Sequence, residues 1–107
     1  MEPAKIKIKS NLEIPLRQIE AFCRKWNIKE FALFGSVLRE DFRPDSDIDV
    51  LVTFEKGGGI TFDNRVEVLD ELAAIFGRKV DLVEKNAIRN PFRRHEILTT
   101  KEVLYAA

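Results

Sequence analysis

Two aspartates, Asp47 and Asp49, stand two positions apart in DSDIDVLV, where the chain turns strongly apolar. Residues two apart on a β-strand leave the same face, about 6.6–6.8 Å apart along it. Carboxylates crowded at the mouth of a buried strand repel one another and lose hydration, which costs stability unless something compensates. Shared divalent cations would compensate, since two-metal sites hold ions about 3.5–4 Å apart.

A third carboxylate, Asp81, is the only acidic residue inside the apolar run of KVDLV. If its strand pairs beside the strand that carries Asp49, Asp81 completes a three-carboxylate cluster. Hard oxygen ligands of this kind select Mg²⁺ or Mn²⁺ over zinc. A calcium-binding EF-hand loop beginning at Asp45 is excluded, because its sixth position is Val50 instead of glycine and its twelfth is Lys56 instead of glutamate. We interpret Asp45 as a turn residue.

Gly35 and Ser36 precede the aspartates and have the character of a phosphate site. A strand-to-helix turn exposes backbone N–H groups, glycine lets a ligand approach closely, and the serine hydroxyl adds a donor. Arg39 and Arg43 are nearby cations for a phosphate tail. Together with the carboxylates, these residues favour phosphoryl-group chemistry. Taken singly, a Gly-Ser pair is most often a helix cap and an Asp-x-Asp a turn or a solvated strand end.

The positioning elements follow from hydrophobic periodicity and from cap residues. Four helices are predicted: the first runs from Pro15 to Trp26, and the second is short, starts after a Ser36 cap and contains Arg39 and Glu40. The third ends at Gly77 and carries the apolar stripe Val66, Leu69, Leu72, Ala73 and Phe76. The fourth starts after a cap at Asn86. The predicted strands are Phe31–Phe34, Ile48–Phe54 and Lys79–Glu84, with 102–105 a strand or a docked end and residues 1–11 a tail or an edge strand. Their order predicts a two-layer α/β or α+β domain.

Composition narrows the classes of function. The 107 residues suit a single domain (1–107), and no apolar run approaches the roughly 20 residues of a membrane span. The lone cysteine, Cys23, is predicted to be a buried thiol in a reducing, cytoplasmic protein. Residues 36–84 hold twelve acidic side chains against six basic ones, between two basic ends. This distribution argues against direct nucleic-acid binding, although ordinary solvated faces would also explain it. His95 is predicted to be a surface residue of a basic helix, and contact of that helix with the partner or the triphosphate stays open as an alternative.

The joint pattern resembles a known superfamily. Gly35-Ser36, ten intervening residues and then Asp47-Ile48-Asp49 match the GS-x10-DxD signature of polymerase-β-type nucleotidyltransferases, and Asp81 within KVDLV also fits. The sequence FGSVLREDFRPDSDIDVLV is similar to the corresponding segment of the minimal, MNT-type domains, which are the antitoxin partners of HEPN-domain toxins. The resemblance extends over nearly the whole chain, from Ile14 to Tyr105.

The resemblance implies a small mixed β-sheet flanked by helices, and transfer of a nucleoside monophosphate to an acceptor hydroxyl. It implies that Asp47 and Asp49 bind two Mg²⁺ ions, and that Asp81 binds the metal nearest the acceptor and helps to remove its proton. Gly35 and Ser36 would hold the triphosphate, with Arg39 as a further phosphate contact.

The function implied is that of an antitoxin that transfers AMP from ATP to a tyrosine of a HEPN toxin. Two alternatives stay open: a binding module that neutralises the toxin by occlusion, and a nucleotidyltransferase subunit that acts on a small molecule or a nucleic acid. The intact set of three aspartates favours an enzyme, because a pure binder has no use for carboxylates that repel one another.

Overall fold

The protein is built on a four-stranded mixed β-sheet with helices on both faces. The computed structural model describes residues 5–7, 13–39, 43 and 46–107. Its elements are β1 (Lys5–Lys7), β2 (Glu13–Pro15), α1 (Leu16–Lys25), β3 (Ile28–Phe34), β4 (Ile48–Phe54), α2 (Arg65–Phe76), β5 (Val80–Glu84), α3 (Pro91–Thr100) and β6 (Glu102–Ala106), with 3₁₀ turns at Gly35–Leu38 and Lys85–Ala87.

The sheet has the strand order β5-β4-β3-β6. β3 pairs antiparallel with both β4 and β6, whereas β4 and β5 are parallel and are joined by the crossover through α2. The predicted small mixed sheet flanked by helices is therefore confirmed, and the 102–105 segment is a strand. β1 and β2 form a separate antiparallel pair.

The helices cover both faces of the sheet, so the domain has three layers where the sequence predicted two. On β3, Phe31 and Leu33 face the larger core, which includes α1 and α2. Ala32 and Phe34 face the opposite side, where Ile97 of α3 packs in a second cluster. A strand that is apolar on both faces must be covered on both, and α3 supplies the second cover.

The first helix matches its predicted apolar stripe. Ile19, Phe22 and Cys23 are buried against the sheet. Burial raises the pKa of the Cys23 thiol to about 12, which fits the predicted structural, unreactive thiol. Trp26, predicted to be core, is half-buried and packs against the larger core, and its indole N–H donates to the carboxylate of Glu71.

The stripe predicted for the second helix is wrong at one position. Val66 is 69% exposed, whereas Val68 is 2% exposed and packs with Leu72, one turn further along. The pair at i and i+4 shares the face turned to the sheet, and Val66 lies off that face. Gly77 ends α2 in the left-handed conformation, as predicted.

Both predicted helix caps are replaced by other features. Ser36 lies inside the 3₁₀ turn Gly35–Leu38, which has no side-chain cap. The last helix is capped by Asn90 and not by Asn86, since the Asn90 side chain accepts hydrogen bonds from the backbone N–H groups of Phe92 (3.0 Å) and Arg93 (3.2 Å). Pro91 follows as the first helical residue, where a missing N–H costs nothing.

The remaining predictions concern the N-terminal end and the chain around Asp45. Lys5–Lys7 forms a strand, but the rest of 1–11 lies outside the described residues, as do Glu40 and Asp45. His95 is exposed on α3, as predicted. None of the helices in the described part of the chain is long and apolar enough to cross a membrane.

Replacing the cap residue should weaken α3 selectively. We expect Asn90→Ala to lower the free energy of unfolding by about 1 kcal/mol, because two backbone N–H groups lose their acceptor. Asn86→Ala is the matched control, since Asn86 is exposed and caps no helix. Urea denaturation of both variants measures the difference, and equal losses would show that the Asn90 cap does not stabilise α3.

Candidate active site

Strand register brings Gly35 and two of the aspartates to one edge of the sheet. Phe34, the last residue of β3, pairs with Asp49 of the antiparallel β4, so Gly35 follows directly beside that carboxylate. Asp49 in turn pairs with Asp81 of the parallel β5. Because paired residues on adjacent strands point to the same face, the side chains of Asp49 and Asp81 leave the sheet together.

That shared face is the one covered by α3. Asp49 alternates with Ile48 and Val50 of the larger core, so it lies on the side of Leu51 and the second cluster. Asp49 is half-buried and Asp81 is exposed. The edge therefore presents one shielded carboxylate beside one that a second molecule can reach.

Gly35 lies directly against the carboxylate of Asp49 and has a backbone conformation that favours glycine. Its backbone has φ +76°, in the left-handed region that disfavours other residues. A Cβ at this position would lie 2.5 Å from Oδ2 of Asp49, well inside van der Waals contact. The glycine thus leaves the space that the carboxylate occupies.

The ionisation of Asp49 shows that the carboxylates act on one another. Burial is the largest influence and raises the pKa of Asp49 above its ordinary value, and the nearby charges of Asp81 and Asp47 raise it further. Arg93, from α3, lowers the pKa of Asp49. Keeping Asp49 ionised therefore costs free energy, and a cation bound at this edge would reduce that cost.

Asp47 precedes β4 and is more exposed than Asp49. Its Oδ2 lies 3.8 Å from the ammonium group of Lys79, just before β5. The backbone N–H of Ile48 donates to the Lys79 carbonyl at 3.1 Å, which fixes the two strand starts together. An exposed pair of this kind contributes little stability, so Lys79 does not lock Asp47 in place.

The described residues contain no group of three His, Cys, Asp or Glu side chains placed to hold a metal ion by themselves. The absence of such a group is compatible with a magnesium site, because Mg²⁺ is commonly bound by one or two carboxylates together with water and substrate phosphates. The donor chemistry of Asp47 and Asp49, two carboxylates on one face of a strand, suits such an ion.

The predicted phosphate residues line the same edge. Ser36 is half-buried within the 3₁₀ turn, and Arg39 is exposed directly after it. A cavity of about 500 Å³ opens between this turn and α3, with Gly35 and Arg39 on one wall. Arg43 is exposed, and its carbonyl accepts a hydrogen bond from Arg78 at 3.3 Å.

The facing wall of the cavity comes from α3, whose basic segment the sequence indicated only as an alternative contact for the partner or the triphosphate. Arg93, Glu96, Ile97 and Thr100 line it. Their i, i+3, i+4, i+7 spacing marks one helix face, but only the packing of α3 on the second face of the sheet turns that face towards Gly35. The basic run at Arg93 and Arg94 was the available signal.

Comparisons with known proteins find a matching family and related proteins. The nucleotidyltransferase domain family matches residues 16–104. A protein of Methanocaldococcus jannaschii provisionally named a protein adenylyltransferase is 38% identical over 68% of this chain and 73% of its own. The protein adenylyltransferase MntA of Thermococcus cleftensis is 31% identical over 76% of this chain and 77% of its own.

Solved structures share the fold. A chain of a toxin–antitoxin complex with AMP-PNP superimposes with a TM-score of 0.69, at 22% identity, over 88% of this chain and 75% of that one. A chain from the complex of the tri-AMPylated Shewanella oneidensis HEPN toxin with its MNT antitoxin gives a TM-score of 0.61, at 22% identity, over 86% and 70%.

The contact between Gly35 and Asp49 predicts a specific destabilisation. Gly35→Ala should cost roughly 1–3 kcal/mol more than Gly57→Ala, because both sites have a positive φ but only the Gly35 methyl group meets a neighbour. Thermal or urea denaturation measures the two variants. Repeating Gly35→Ala in an Asp49→Ala background should remove the excess, and an unchanged excess there would assign it to another contact.

Asp49 also predicts a pH dependence of stability. Its folded-state pKa lies above the ordinary value of 3.8, so the ionised group destabilises the fold, and stability falls as pH rises through the folded pKa. Asp49→Asn should therefore raise the melting temperature at pH 7 in the presence of a chelator, with an advantage that shrinks as pH falls towards 3.8. Exposed Asp63→Asn is the control, and a gain that persists at low pH would contradict the assignment.

Proposed function

We propose, since this chain belongs to the nucleotidyltransferase domain family, that it transfers AMP from ATP to a hydroxyl group of a partner protein. The observation that carries the proposal is the meeting of Gly35, Asp49 and Asp81 at one sheet edge, with Asp47 at the start of the same strand. The names of the related proteins, which are protein adenylyltransferases, support AMP as the group transferred.

The chain's own residues divide the reaction between them. The Gly35–Leu38 turn, with the Ser36 hydroxyl, binds the triphosphate and presents its α-phosphorus to the carboxylate edge. The acceptor oxygen forms a bond to that phosphorus as the bond to the pyrophosphate leaving group breaks. Exposed Asp81, beside Asp49 in register, accepts the proton of the acceptor hydroxyl.

Asp47 and Asp49 are the residues that would hold two Mg²⁺ ions, and Asp81 would be a further ligand. When bound, Mg²⁺ neutralises charge on the phosphates and on the leaving pyrophosphate. Mn²⁺, which prefers the same oxygen donors, is expected to substitute. The raised pKa of Asp49 supports this assignment, because the edge is short of positive charge.

The proposed acceptor is a tyrosine of a HEPN-domain toxin, which AMP transfer would silence in the cytoplasm. Two complexes whose chains share this fold are toxin–antitoxin pairs, and one of those toxins is tri-AMPylated. The exposure of Asp81 supports a macromolecular acceptor, since a hydroxyl on another protein can approach it from solvent.

Removing one carboxylate should separate catalysis from folding. Asp47→Asn should reduce transfer of labelled AMP from ATP and Mg²⁺ to the cognate toxin by at least about 100-fold, a loss of the size seen when a transition-state charge contact is removed. Its melting temperature in the absence of metal should stay at or above that of the wild type. Asp70→Asn, an exposed carboxylate on α2, is the control and should transfer normally.

The same pair of variants distinguishes modification from occlusion in cells that express the toxin. If modification is the mechanism, Asp47→Asn fails to protect growth while Asp70→Asn protects. Full protection by an Asp47→Asn protein that transfers no AMP would favour the binding module, and transfer at the wild-type rate would show that the carboxylate edge is not the active site.

A further inference from the structure

The cavity beside the carboxylate edge has two cationic walls. Arg39 follows the Gly35–Leu38 turn on one side, and Arg93 projects from the first turn of α3 on the other. Among the described residues that line the cavity, Glu96 is the only acidic one. Two guanidinium groups against one carboxylate in this described lining suit an anion of several charges.

The start of α3 holds Arg93 at this wall. The Asn90 side chain accepts a hydrogen bond from the backbone N–H of Arg93 at 3.2 Å, and Pro91 fixes the first helical turn. Ile97, one turn after Arg93, is buried between the helix and the sheet. The backbone that carries Arg93 is thus fixed at both ends, although the guanidinium itself is exposed.

Within the described part of the chain, the guanidinium of Arg93 makes no hydrogen bond and no ion pair. It is near enough to Asp49 to lower the pKa of that carboxyl group, but it does not approach to within the 4.0 Å of a salt bridge. The neighbouring Arg94 is engaged elsewhere, because its guanidinium donates a hydrogen bond to the Lys85 carbonyl at 2.7 Å. The N–H groups of the Arg93 guanidinium are therefore not engaged by any described residue and can donate to a ligand in the cavity.

We infer that Arg93 binds the β- and γ-phosphates of the nucleoside triphosphate from the cavity wall opposite Arg39. The inference rests on the proposed function. If the α-phosphate lies at the carboxylate edge, the rest of the triphosphate extends past Gly35 into the cavity. A guanidinium presents a planar fork of N–H donors that matches phosphate oxygens. The nucleotide thus closes a contact between α3 and the turn, although the two are far apart in sequence.

Binding of inorganic tripolyphosphate, AMP-PNP and AMP in the presence of Mg²⁺ tests this role by calorimetry. Arg93→Ala should weaken tripolyphosphate and AMP-PNP about 10- to 100-fold, as the loss of charge-assisted hydrogen bonds implies. Binding of AMP, which has no β- or γ-phosphate, should change less than about twofold. Arg93→Lys should recover part of the loss, and Arg89→Ala, an exposed arginine outside the cavity, should bind as the wild type does.

Each contrary result has a separate meaning. Unchanged tripolyphosphate binding by a folded Arg93→Ala protein would overturn the inference and leave the proposed function standing. Equal losses for AMP and AMP-PNP would also overturn it, because they would place Arg93 at the base, the ribose or the α-phosphate. A wild-type protein that binds neither AMP-PNP nor tripolyphosphate would refute the proposed function, and the inference with it. Melting curves of every variant confirm that the proteins compared are folded.

Discussion

The repulsion between carboxylates at the edge of the sheet is the constraint on which the site depends. Asp49 is partly withdrawn from water and has Asp81 beside it in register and Asp47 two positions earlier, and all three influences raise its pKa. In a domain that did not use this arrangement, replacing one of the three aspartates by a neutral residue would not lower the stability of the fold. The fold instead keeps space for Asp49 with a glycine whose Cβ would lie 2.5 Å from the carboxylate oxygen.

Mixed strand directions make this concentration of charge possible. Because β4 and β5 are parallel, their N-terminal ends lie at the same edge, which brings Asp49 next to Asp81. Because β3 runs antiparallel to β4, its C-terminal end reaches that edge as well and delivers the Gly35 turn. The edge therefore combines the starts of two strands, which carry Asp49 and Asp81, with the end of a third strand, which continues into the Gly35–Leu38 turn.

Local pattern was sufficient to predict β3, β4 and β5 and their order with the helices, because apolar runs bounded by glycine and charge are properties of neighbouring residues. It did not predict β2, whose three residues precede α1 and carry no such run. It misplaced the caps, since Asn86 and Asn90 are equally suited to capping and only the chain path selects Asn90. It also placed Val66 in the core, because α2 is apolar at both Val66 and Val68 and the packing angle decides which one is buried.

The candidate site was likewise predicted only in part, since local sequence indicated some of its residues and tertiary packing decided the others. Sequence spacing identified the carboxylates and the Gly35 turn, whereas the α3 wall of the cavity depends on which face of the sheet the last helix covers. The apolar character of β4 required a cover on each side, but not that α3 should supply one of them. Arg93 therefore enters the site through tertiary packing, some forty residues after the motif that it faces.

Two exposed cations partly offset the acidic edge without occupying it. Lys79 lies 3.8 Å from Asp47, and Arg93 lowers the pKa of Asp49 from a greater distance. Exposed ion pairs contribute little, so a divalent cation would displace Lys79 at small cost. Arg93 would then be freed from its attraction to Asp49 as the metal takes over that charge, at the moment when a phosphate arrives beside it. The acidic edge is thus only partly neutralised by Lys79 and Arg93, and a cation bound there would supply the remaining neutralisation.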